Sequence, residues 1–122
     1  MIIKTERHYL DCMCAALLNY FPLLQLTLLR QVQGYNKVAA EYLQNRIIIS
    51  VLGELELILR KKQINTISKS LTLKFTDAQG IILYKTILDM PVQAENYYGN
   101  LVRNAWLKQL DQQIIYDLNI HS

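Results

Sequence analysis

Two cysteines with one residue between them, two histidines near opposite ends and a close pair of glutamates are the groups that any chemistry in this 122-residue chain would have to use. Cys12 and Cys14 form a Cys-x-Cys pair. Residues two apart on a helix point to different sides, so no disulfide is expected between them. No second cysteine pair follows, and His8 and His121 would complete a metal site only if the chain ends met. The expectation is two buried structural thiols, no metal and no cofactor, which suits a reducing compartment. Glu54 and Glu56 would lie about 7 Å apart on one strand face, a spacing that acid–base chemistry can use. A solvated strand face explains the same pattern. Nothing holds a terminal histidine in place as a general base. Gly34, Gly53, Gly80 and Gly99 compose no phosphate loop, and no nucleophile elbow is present. A non-catalytic protein is expected.

Groups suited to binding are more numerous. Arg60, Lys61 and Lys62 fall at an expected turn between strands, and Lys69 and Lys74 on the polar face of the next strand. Together they would suit a phosphate, a lipid head group or an acidic protein, although lysines also guard strand edges against pairing. Tyr97, Tyr98 and Trp106 gather at the start of the last helix, either as a partner-facing hot spot or as a lid on the core.

The composition is 52% apolar and 19% charged, with a net charge of +3. That excludes intrinsic disorder and predicts one domain spanning 1–122 with a rather apolar surface. The basic residues are spread over both halves, unlike the dense stripe of a nucleic-acid domain. The least charged stretch, 12–29, is broken by Asn19, Pro22, Gln25 and Thr27, so no transmembrane span is expected. No convincing secretory leader is seen, which points to the cytoplasm.

Positioning these residues is the task of the elements. Apolar spacing at Tyr9, Met13, Ala16, Leu17 and Tyr20 predicts a helix over 5–20 that stops before Pro22. Alternation at Leu24, Leu26 and Leu28 favours a strand over 23–33. A second helix is predicted over 35–45, capped by Asn36 and ended by Asn45. A β-branched run over 47–52 predicts a buried strand, Gly53 a bulge, and Leu55, Leu57 and Leu59 against Glu54, Glu56 and Arg60 a one-sided strand. Ile67, Leu71, Leu73 and Phe75 continue the pattern, and Asp77-Ala78-Gln79-Gly80 reads as a type I hairpin turn leading to a strand over 81–88. Leu101, Ala105, Leu107, Leu110, Ile114 and Leu118 predict a long last helix, capped by Asn96 or Asn100. The expected fold is α+β: an antiparallel three- to four-stranded meander with N-terminal helices and a long C-terminal helix packed on one face.

From Leu23 to Leu118 this order resembles the lipopolysaccharide-assembly lipoprotein family, the small partner of an outer-membrane assembly barrel. The most similar stretch is Ser70-Leu71-Thr72-Leu73-Lys74-Phe75-Thr76-Asp77-Ala78-Gln79-Gly80-Ile81-Ile82-Leu83, followed by Leu110-Asp111-Gln112-Gln113-Ile114 in the last helix. The resemblance implies a periplasmic or outer-membrane location and contact between lipid phosphates and Arg60, Lys61, Lys62 and Lys69. Three roles therefore stand in order. An interaction or assembly subunit binding a protein partner or its own copies comes first, lipopolysaccharide or lipid handling second, and nucleic-acid binding through the basic residues of 60–74 third.

Overall fold

The computed structural model describes residues 1–33, 40–91 and 95–121, apart from the side chains of 32–33 and 116–121. The element order is β1 (Ile2–Glu6), α1 (Arg7–Gln33), α2 (Ala40–Asn65), β2 (Ser70–Lys74), α3 (Asp77–Asp89) and α4 (Tyr97–His121). The chain is α+β only in the broad sense. Four helices accompany a single two-stranded antiparallel sheet, and among the described residues there is no three- or four-stranded meander.

The long helix α1 runs straight through the expected break. Pro22 removes one backbone donor but sits on the exposed side, where the chain tolerates its ring. The strand expected over 23–33 is therefore helix, and α1 spans about 40 Å. The helix is continuous through Asn19, Pro22, Gln25 and Thr27, and over Arg7–Gln31 it is long and apolar enough to cross a membrane by length and composition alone.

In α2 the correction is larger. The helix absorbs the expected strands over 47–52 and 54–60, and it does not end at Asn45. The start expected at Asn36 lies outside the described residues. Val51, Leu52, Leu55 and Leu59 are buried, a spacing of three and four, while Leu57 is exposed. The leucine alternation was shared between both periods, and the Glu, Leu, Lys, Arg and Gln around it are good helix formers. Gly53 lies in mid-helix, and a Cβ there would meet nothing within 4 Å. Gly53→Ala is therefore expected to raise stability by about 0.5–1 kcal/mol, measured by urea denaturation.

In α3 the residues expected to turn a hairpin instead open a helix. Gln79 N–H donates to Thr76 Oγ1 at 3.2 Å, and Thr76 N–H donates to Gln79 Oε1 at 3.0 Å, a reciprocal capping box. Gly80, Leu83, Thr86 and Ile87 then face inward. In α4 the cap is Asn96, whose Oδ1 accepts from Gly99 N–H at 2.8 Å. A Cβ on Gly99 would come within 2.5 Å of Asn96 Nδ2, so glycine at this position leaves room for the cap.

The sheet and helices share one apolar cluster. Ile3, Thr5, Leu71, Leu73 and Phe75 line the inner side of the sheet. Leu10, Met13, Leu17 and Phe21 of α1, Leu52 and Leu55 of α2, Leu83 and Ile87 of α3, and Val102, Trp106 and Leu110 of α4 complete it. The ends of the helices are tied by arginines. Arg7 donates to Gln63 O at 2.7 Å and to Thr66 O, meeting the free carbonyls at the end of α2. Arg103 does the same for α3 through Ile87 O and Leu88 O, both at 3.2 Å.

Candidate interaction surfaces

The groups weighed for chemistry are kept apart or neutral. Cys14 is buried, and burial first, then the charge of Asp11, pushes its thiol up to about 12, with Arg60 and Arg7 opposing in part. Burial raises Cys12 as well. Neither thiol is an activated nucleophile. Because the unfolded thiol loses its proton first, the stability due to a neutral Cys14 is complete below about pH 9 and is lost progressively toward pH 12. Folded protein is expected to leave Cys14 unlabelled by a thiol reagent at pH 8, and to expose it in urea; mass spectrometry of the labelled peptide reads this.

His8 is exposed, and its Nε2 lies 2.9 Å from Glu6 Oε2. The side chain of His121 lies outside the described residues. Glu54 and Glu56 do not share a face, because residues two apart on a helix diverge by about 200°; Glu56 pairs instead with Arg60 at 3.0 Å. No cluster of three metal-ligating residues occurs among the described residues. A cleft of about 480 Å³ lies between α1 and the start of α4, lined by Cys12, Asn19, Tyr20, Asn96 and Arg103 among others. Its one charged side chain, Arg103, already serves the end of α3.

The predicted binding residues do not form one site. Arg60, Lys61 and Lys62 are not in a turn but in the last turns of α2. Three consecutive helical residues point about 100° apart, so they cannot form a single basic face. Lys69 precedes β2 and Lys74 closes it, and both are exposed. Trp106 is fully buried and its Nε1–H donates to Thr5 Oγ1 at 3.1 Å, so it belongs to the core and cannot face a partner. Tyr97 and Tyr98 are exposed, and the Tyr98 ring stacks on His8 with centroids 6.3 Å apart.

Two surfaces went unforeseen. The first is the exposed apolar surface of α1 and α2, on which Leu23 also borders the cleft toward α4. Leu23, Leu26 and Leu29 of α1 are exposed, as are Leu43, Ile47, Leu57 and Ile64 of α2, with Ile64 reaching 78%. Beyond Phe21 the described part of α1 buries only Leu28. The helical spacing of these residues is the signal in the sequence, obscured by the strand-like alternation and β-branched run of the same segments.

The second is the sheet, whose two edges differ. Phe75 N–H bonds Met1 O and Arg7 N–H bonds Lys69 O, so odd-numbered residues of β1 pair with β2 and even-numbered ones face away. On that outer side two glutamines of α4 stand in for a third strand. Gln113 accepts from Ile2 N–H and donates to Ile2 O, both at 2.7 Å. Gln109 accepts from Lys4 N–H at 2.8 Å and donates to Lys4 O at 2.9 Å. The opposite edge, formed by Ser70, Thr72 and Lys74, makes no such bonds among the described residues.

Comparison with protein-family models, with curated proteins and with solved structures finds no match to this chain.

Proposed function

We propose that this protein is a non-catalytic interaction subunit that binds a protein partner through the exposed apolar surface of α1 and α2. The observation behind this is the run of exposed leucines and isoleucines on helices whose opposite sides already fill the core. Isolated exposed leucines are ordinary, but a row of them at helical spacing on two neighbouring helices has the character of an interface. The neutral thiols and the scattered carboxylates supply no competing chemistry. A photo-crosslinking residue placed at Leu26 and expressed in the native organism should yield a discrete adduct. That adduct should vanish when Leu23→Glu is added. An unchanged monomer band would count against the reading.

A second reading, lipid handling as the family resemblance implies, draws support from α1, which is long and apolar enough to enter a bilayer while only 28% of its most apolar stretch is buried. Flotation with phosphatidylglycerol vesicles tests it. Binding that survives high salt and is lost in Leu23→Glu/Leu26→Glu would favour a lipid partner over a protein one.

A further inference from the structure

We infer that the outer face of α2 is a self-association seam, on which α2 of a second copy packs antiparallel. The inference rests on the proposed use of the α1–α2 surface and names the occupant of the α2 part. Leu43, Ile47, Ser50, Glu54, Leu57, Lys61 and Ile64 follow one another at alternating steps of four and three. That step pattern averages 3.5 residues, the repeat of a helix-pairing seam. Every one of these side chains is exposed, with Leu43 at 55%, Ile47 at 62%, Leu57 at 54% and Ile64 at 78%. The core-facing residues of the same helix, Val51, Leu52, Leu55 and Leu59, lie on its other side. The seam thus runs nearly the full length of α2, exposed among the described residues.

Charge decides the occupant and its direction. Glu54 and Lys61 are seam residues without an ion-pair partner among the described residues, whereas the neighbouring Glu56 and Arg60 satisfy each other. A parallel, in-register pairing would set Glu54 beside the second copy's Glu54 and Lys61 beside the second copy's Lys61. An antiparallel pairing that seats Ile47 against the second copy's Ile64 brings Glu54 within about one turn of the second copy's Lys61, and does so twice by symmetry. In that register the two Leu57 side chains and the two Glu54 side chains each approach across the twofold axis, so two Glu54–Lys61 attractions stand against one Glu54–Glu54 repulsion, whereas the parallel pairing has only like-charge contacts. On balance of charge the seam favours a second copy in the antiparallel direction, with Ile47 and Ile64 closing its ends.

Sedimentation equilibrium of the purified chain between roughly 1 and 200 µM tests this, a range that spans micromolar dissociation constants. Wild type should dimerise, and Leu57→Glu, an exposed position, should weaken the dimer at least about ten-fold while circular dichroism stays unchanged. Glu54→Lys and Lys61→Glu should each weaken it, since each sets like charges together. Mixing the two variants should restore association, because both cross-pairs then unite opposite charges. A wild type that stays monomeric, a dimer indifferent to Leu57→Glu, or a mixture no tighter than its components would overturn the seam. The crosslink from Leu26 reports separately on the wider interaction reading, so a monomer that still forms that adduct leaves the reading standing.

Discussion

Replacing Trp106 by alanine is expected to cost about 3–5 kcal/mol of folding stability, which for a domain of this size lowers the melting temperature by roughly 10–20 °C. The indole is completely buried, and its loss would empty the largest of the fully buried side-chain sites. It would also remove the buried bond from Nε1–H to Thr5 Oγ1 that joins α4 to β1. Two further substitutions separate these contributions. Trp106→Phe keeps most of the ring volume but loses the donor, and should cost clearly less than alanine. Thr5→Val keeps the shape at β1 but leaves the indole N–H without an acceptor, at about 1–3 kcal/mol. Tyr97→Ala, at a position 85% exposed, should stay within about 0.5 kcal/mol of wild type. Urea denaturation of the four variants distinguishes a core tryptophan from a surface one, for which all four would lie near wild type.

How much of this was legible in the sequence depends on which period each segment could support. The last helix was readable as an element but not in its inner face: Val102, Trp106 and Leu110, four residues apart, are buried, whereas the expected Leu101 is exposed; its cap narrowed to two asparagines, of which Asn96 serves. The strand around Leu71 and Leu73 was readable because Ser70, Thr72 and Lys74 alternate with them. By contrast, Leu55, Leu57 and Leu59 satisfy a period of two while Leu52, Leu55 and Leu59 satisfy a helical one, and the sequence holds both. Helix-forming neighbours and packing against α1 decide between them. At Thr76-Asp77-Ala78-Gln79 the local signal was sufficient but ambiguous in type. The Asp-x-x-Gly of a turn overlaps the Thr-x-x-Gln of a capping box, and the apolar run that follows argued for the box. The short β1 was missed entirely, because five residues at the head of a helical pattern become a strand only when β2, over sixty residues away, pairs with them. The binding surface followed these errors. The basic residues of 60–62 gather into a patch only in a turn, whereas the apolar seam of α2 exists only in a helix.

Substituting both Gln109 and Gln113 by alanine is expected to cost about 2–4 kcal/mol, from the loss of four hydrogen bonds at roughly 0.5–1 kcal/mol each. The helical rise of four residues, about 6 Å, nearly matches the two-residue step of a strand, about 6.8 Å. Glutamines at i and i+4 can therefore meet the backbone of Ile2 and Lys4 at once, each amide supplying both a donor and an acceptor. No other residue type of that length carries both groups, so Gln109→Glu should not rescue the alanine variant. A carboxylate would still accept from Lys4 N–H but would face Lys4 O without a proton to offer. The pair should also be coupled, since both hold the same short strand, and a double-mutant cycle should give less than the sum of the single costs if either loss alone frees β1. Hydrogen exchange separates this sealing from mere packing. The amides of Ile2 and Lys4 should lose protection in the glutamine variants, whereas the amides of Ile3 and Thr5, bonded to β2, should retain it until the whole domain opens. Equal loss at all four would mean that the ladder acts only through overall stability. The two edges of this sheet would then differ in cover but not in consequence, and a third strand in disguise would be no more than one more contact.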